Sequence, residues 1–228
     1  SGNNTFVLNE GGLFGDEVTS NVSVVGSSGK DFITINASGA SNGLIEVSLD
    51  DDADDVVING DYVSVETGNG DDVVEINSSH VTLGAGYGDD SIVIKNAPSS
   101  SEVVDVSVAA GAGKNTILVE ASGKASGSTD YINVTAGDAE DKVTISGSYV
   151  ALNAGGGKNT ILNEGGSYNT IVTGSADDTI SLTGNVRGVS VNAGDGKNVV
   201  NINGSGDLSA WISVQSGSGN DSITNNAD

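Results

Sequence analysis

The chain has 228 residues, with 34 glycines, one proline, and no cysteine or methionine, which excludes collagen and any disulfide scaffold. Eight basic against 31 acidic side chains leave a formal charge of −23, the wrong sign for gripping phosphates or an anionic bilayer. Neither nucleic acid nor membrane insertion is expected, since apolar runs also stay far below the roughly 18 residues of a membrane span.

Along the chain an acid or amide is followed, again and again, by alternating apolar residues. These anchors are Asn4, Asp31, Asp54, Asp72, Asp90, Asn115, Asp141, Asn159, Asp178, Asn198 and Asp221. Successive anchors lie 27, 23, 18, 18, 25, 26, 18, 19, 20 and 23 residues apart. A period near 20 with a floor of 18 indicates a solenoid whose surplus residues sit in loops. A second apolar alternation precedes most anchors, as in Val63 and Val65, Val81 and Leu83, Val106 and Val108, Ile132 and Val134, Val150 and Leu152, Val189 and Val191, and Ile212 and Val214. Period two means strand, not helix.

The expected architecture is all-β: a single parallel β-solenoid domain over residues 1–228, of about ten coils with two main strands each. Coils stacked about 4.8 Å apart leave a thin core filled by Val, Ile and Leu. The surplus falls at Gly11 to Asn21, Ala37 to Gly43, Ala97 to Ser101, Ala121 to Asp130 and Gly204 to Ala210, which read as surface insertions.

The turn before the anchor reads Gly-x-Gly-x-Asp/Asn-x-Val/Ile at Gly68 to Val74, Gly86 to Ile92, Gly111 to Ile117, Gly155 to Ile161, Gly194 to Val200 and Gly217 to Ile223. It resembles the hemolysin-type calcium-binding nonapeptide of RTX proteins, Gly-Gly-x-Gly-x-Asp-x-apolar-x. The resemblance implies a parallel β-roll, a bacterial secreted protein, and calcium between stacked turns on aspartate carboxylates and turn carbonyls. Carried onto this chain, the calcium ligands are Asp54, Gly68, Gly70, Asp71, Asp72, Gly86, Gly88, Asp89 and Asp90.

Charge stacking favours the same turns. From Asp89 the residue before each anchor runs Asp89, Lys114, Glu140, Lys158, Asp177, Lys197, so acidic turns alternate with cationic ones. Asp71 and Asp72, however, fall beneath Asp89 and Asp90, with Asp54 and Asp31 below. Carboxylates about 5 Å apart repel by roughly 3 kcal/mol per pair at an effective dielectric near 20. Either a hard cation offsets that repulsion or the aspartates point into water.

A ring column opens the other strand: Tyr62, His80, Tyr131, Tyr149, Tyr168 and Trp211. It either stiffens the sheet edge or, at Tyr131, Tyr149 and Tyr168, holds a glycan. One histidine, one arginine and no cysteine supply catalysis poorly, so no enzyme is expected. Irregular outward residues such as Thr5, Val7, Phe32 and Thr34 also argue against an ice-binding face.

Ser1 to Phe6 match Ser218 to Ile223 in repeat phase, so both ends are the same strand of a coil. Open strand edges invite another chain, and contact between unlike ends gives a filament. Asn4, Phe6, Leu13 and Phe14 on one side and Asp221 and Ile223 on the other are the expected self-assembly residues, with residues 9 to 18 packing into the neighbour. The expected protein is a non-enzymatic, extracellular or cell-surface structural subunit of a filament or surface layer, partly calcium-stabilised, whose partner is itself. The alternative is a glycan- or cell-binding adhesin segment of a longer surface protein.

Overall fold

The computed structural model describes residues 2–9, 21–39, 44–98, 100–124, 131–204 and 211–227. Its strands alternate between two parallel sheets. One sheet holds β1 (Thr5–Leu8), β3 (Phe32–Ile35), β5 (Asp55–Ile58), β7 (Val73–Ile76), β9 (Ser91–Ile94), β11 (Thr116–Val119), β13 (Lys142–Ile145), β15 (Thr160–Glu164), β17 (Thr179–Gly184), β19 (Val199–Gly204) and β21 (Ser222–Asn225), in that order. The other holds β2 (Val22–Val25), β4 (Ile45–Ser48), β6 (Val63–Glu66), β8 (Val81–Gly84), β10 (Val106–Ala109), β12 (Ile132–Thr135), β14 (Val150–Asn153), β16 (Thr170–Val172), β18 (Val189–Asn192) and β20 (Ile212–Gln215). Consecutive strands of one sheet are therefore one coil apart, and the chain is a parallel β-solenoid, compatible with a β-roll.

The apolar alternation decides which way each strand faces. Val74 and Ile76 of β7 are buried while Val73 between the coils' outer residues is 47% exposed. Parallel pairing is in register, Val74 against Ile92 and Ile76 against Ile94, so each column of the core repeats one residue class. A shift by one residue would turn every apolar side chain outward.

The core also contains alanine, which the sequence reading left out. Ala37, Ala85, Ala110, Ala121, Ala136, Ala154 and Ala193 are fully buried just after the strands, and in the column of Ala85 the buried Leu49, Thr67 and Thr173 take the same position in other coils. Ala37 and Ala121, read from sequence as the first residues of surface insertions, belong to this lining. The insertions proper begin after them.

Candidate functional site

The anchors form one continuous polar column inside the rod. From Asn4 to Asp221, the backbone N–H of each anchor donates to Oδ1 of the anchor one coil on, at 2.7–3.0 Å. The anchor carbonyl accepts from the first strand residue of that coil, as Asp72 O does from Ser91 N at 2.8 Å. An acid or amide recurs here because the turn leaves an inward N–H that no strand ladder serves, and buried main-chain groups need partners. Asp and Asn place a carbonyl-type acceptor at that short reach.

The second side-chain atom separates the amides from the acids. Asn115 Nδ2 donates to Ala136 O at 3.0 Å, Asn159 Nδ2 to Ala154 O at 3.2 Å and Asn198 Nδ2 to Gly194 O at 3.2 Å. In the acidic coils Oδ2 has nothing to donate. Oδ2 of Asp72, Asp90, Asp141 and Asp178 is buried without a partner, a costly state for an anionic oxygen.

Their ionisation follows. Burial, reinforced by Asp72, Asp71 and Asp89, pushes Asp90 up to about 7 against the backbone N–H of Asp72. Burial likewise raises Asp54 to about 6 and Asp141 to about 6, and lifts Asp72 and Asp178. Asp31 is the control within the same column. Burial pushes it up too, but Asn4 donates from both backbone and side chain and Ser27 N–H reaches Oδ2 at 3.2 Å, so it sits below the ordinary carboxylate range.

The residues expected to hold calcium are thus brought into one register but not into one cage. Asp54, Asp72 and Asp90 are buried, whereas Asp71 and Asp89 are exposed and linked by Asp89 N–H donating to Asp71 Oδ1 at 2.8 Å. Gly68, Gly70, Gly86 and Gly88 all adopt positive φ in the turns. Among the described residues no three acidic or histidine side chains converge as a metal cluster. Calcium takes six to eight oxygens, so the turns of Asp72, Asp90, Asp141 and Asp178 each offer one unmatched anionic ligand, and carbonyls would have to supply the rest. The unmatched oxygen is not confined to the acid-on-acid stretch: Asp141 and Asp178, in the half where charges alternate, share it. Desolvation, more than the mutual repulsion weighed from the sequence, sets the demand. Outside the column, Lys114 Nζ lies 2.7 Å from Glu140 Oε2.

The ring column forms in two groups, separated by Asp105, with Trp211 set apart by Gly188. Tyr62 stacks on His80 at 4.3 Å, Tyr149 on Tyr168 at 5.1 Å, and Tyr131 meets Tyr149 edge-on at 6.0 Å. Tyr62, His80, Tyr149 and Tyr168 take φ of 54–58°, a left-handed conformation that bulky residues rarely adopt. Gly188 shares it at φ 59°, placing its backbone against the Tyr168 ring. His80 Nδ1 lies 3.5 Å from Asp105 Oδ2. Among the described residues Trp211 and Tyr87 are the most exposed rings, at 62% and 69%; Tyr87 borders an open groove of about 500 Å³ with Thr135, Asp138 and Asn153.

Of the self-assembly residues, Asn4 and Phe6 lie on the edge strand side of β1, with Phe6 partly buried against the core. Asp221 and Ile223 lie at β21, where Ile223 occupies a core column yet is 48% exposed. Leu13 and Phe14, and the packing expected of residues 10–18, lie outside the described residues.

An asparagine ladder escaped the sequence reading. Asn36 Nδ2 donates to Asn9 Oδ1 at 2.8 Å, Asn59 to Asn36 at 2.8 Å and Asn77 to Asn59 at 2.9 Å, and Asn226 donates to Asn203 at 3.0 Å. The recurring Ile-Asn pair at Ile35, Ile58, Ile76 and Ile202 is the signal that marks it.

Compared with protein-family models, with curated proteins and with solved structures, the chain gives no match.

Proposed function

We propose that the chain is a secreted structural subunit, a β-solenoid rod of an extracellular filament or surface layer that assembles head to tail. The observation that supports this reading is the uninterrupted in-register stack of both sheets, with one hydrogen-bonded column of anchors running from Asn4 to Asp221. Such a repeat is a uniform rod, and a parallel stack of this kind takes up a further copy by the same strand pairing that joins its own coils. Electron microscopy and light scattering over rising concentration test it. Filaments whose width is that of one rod are the expected result; monodisperse rods at every concentration, with and without calcium, would remove the reading.

Calcium belongs to the proposal, as the RTX-like turns imply, and the unmatched Oδ2 atoms of Asp72 and Asp90 support it. Chelation is expected to lower the Tm by about 5 °C at neutral pH. Asp72→Asn with Asp90→Asn removes that response, because an amide fills the position as Asn115 does, and in chelator the variant is about 2 kcal/mol more stable than the parent. Lys158→Ala leaves the chelator response unchanged. A melting curve indifferent to chelator sinks the calcium part alone.

The second reading is an adhesin segment that binds a glycan. It is favoured by the groove at Tyr87, where an exposed ring lies beside the hydroxyl, carboxylate and amide of Thr135, Asp138 and Asn153, the mixture of ring face and polar groups that suits a sugar. A glycan array with the parent and Tyr87→Ala decides it.

A further inference from the structure

The outer surfaces of the two sheets differ in kind. The β2 sheet turns Ser23, Glu46, Ser64, Thr82, Ser107 and Asn133 outward, whereas the first and third residues of the strands in the β1 sheet include Val57, Val73, Val93, Leu118, Leu162 and Val199. Val73 is 47% exposed, and Leu118 lies in register beside Val93. Strand propensity favours branched residues on either side of a sheet, but the β2 sheet has the same backbone and presents small polar residues instead. Propensity therefore does not account for the difference, and exposed apolar residues gathered on one face mark a contact surface.

Charge sets this face apart as well. The chain carries −23, yet at these outward positions only Asp55, Glu75 and Lys142 are charged. Both carboxylates are held, with Lys30 Nζ 3.0 Å from Asp55 Oδ1 and Lys95 Nζ 2.8 Å from Glu75 Oε2. Lys142 makes no ion pair among the described residues. The acids crowd the turns beside the face, as at Asp50, Asp51, Asp52, Asp71 and Asp89. Across the face itself, two copies can approach without setting carboxylate on carboxylate.

We propose that this face pairs with the same face of a second copy, the two rods antiparallel about a two-fold axis that runs along β9. Its columns recur at the strand spacing of about 4.8 Å, and a second copy carries the same repeat, so side chains interdigitate along the whole contact. The eleven strands of the sheet, at four residues each, cover roughly 48 by 13 Å, so pairing buries about 1,200 Å² in all, enough for a stable interface. The axis over β9 places Asp55 of one copy opposite Lys142 of the other, and Asp71 opposite Lys114; Asp89 meets its own copy only at the solvent border. An axis along the rod would instead set every charge against itself.

The turn carboxylates of both copies flank the contact, so low ionic strength opposes pairing and about 1 M salt permits it. Sedimentation of the full chain is expected to show single rods in about 10 mM NaCl and pairs in about 1 M; where rods also join end to end, the filaments widen from one rod to two. Val73→Lys with Val93→Lys weakens pairing at least about 100-fold. Thr82→Lys with Ser107→Lys, the same charges on the other sheet, changes it less than about threefold. Because the chain has no cysteine, spin labels at Glu120→Cys or Asn203→Cys report the orientation. β11 lies one step from the axis and β19 five, giving label separations of under about 20 Å and of about 50 Å. Equal short distances at both sites overturn the antiparallel arrangement, and pairing lost through Thr82 and Ser107 but not through Val73 and Val93 overturns the choice of face. Parent rods that stay single at every salt concentration overturn the pairing and leave the face to a partner of other chemistry. Head-to-tail assembly is a separate contact, and the Val73→Lys, Val93→Lys chain keeps its one-rod filaments, so each reading can fail without the other.

Discussion

In chelator, lowering the pH from about 7.5 to about 5 should raise the Tm by roughly 10 °C, the reverse of ordinary acid denaturation. Asp90 sits at about 7 in the folded chain, and Asp54 and Asp141 at about 6, against 3.8 for an ordinary Asp. Between about 4 and 7 the folded state therefore binds more protons than the unfolded chain, so stability rises as pH falls through that window. The sign is fixed by burial, which disfavours the anion more than the ladder N–H favours it. Summed over these carboxyls the gain is a few kcal/mol, and it levels off once the unfolded chain protonates as well. Loss of the net charge of −23 acts in the same direction. Thermal melts by circular dichroism across this range provide the measurement. A Tm that falls steadily with acidification would mean that the buried carboxyls keep their charge. Asp72→Asn with Asp90→Asn should remove about half of the effect.

Gly86→Ala is expected to destabilise the fold by about 4 kcal/mol or more. Gly86 has φ of 97°, and a Cβ there would lie 1.9 Å from Gly68 O, main chain held by the coil below. Two effects add: an alanine strained at positive φ and a backbone clash that no rotamer relieves. Gly165→Ala separates them. Its φ is 88°, but the nearest atom to the added Cβ is Asn185 N at 3.9 Å, so only the conformational term remains, about 1 kcal/mol. Urea denaturation of the two variants checks the difference; equal losses would show that the turns part easily and that coil stacking there is loose.

Much of the rod can be read directly from periodicity. Val and Ile alternating at period two, with anchors never closer than 18 residues, leave a two-sheet parallel solenoid as the arrangement that buries one face of every strand. The stack of Asp31, Asp54, Asp72 and Asp90 follows from the same spacing. The sequence also identifies the ring column, because aromatics at one repeated position in successive coils, as at Tyr149 and Tyr168, fall one above the other.

What those side chains do was decided only by the tertiary structure. The anchor aspartates were weighed as charges that repel one another or face water, but the corner of the coil closes over them and one oxygen becomes a hydrogen-bond acceptor inside the rod. Burial, a property of where two sheets meet, cannot be read from spacing along the chain. The same holds for Ala37 and Ala121, which look like loop residues beside glycine and serine until the neighbouring coils bury them. The asparagine ladder needed three dimensions for a related reason: Asn36 and Asn59 are ordinary polar residues after a strand, and only in-register stacking turns each amide into the partner of the next.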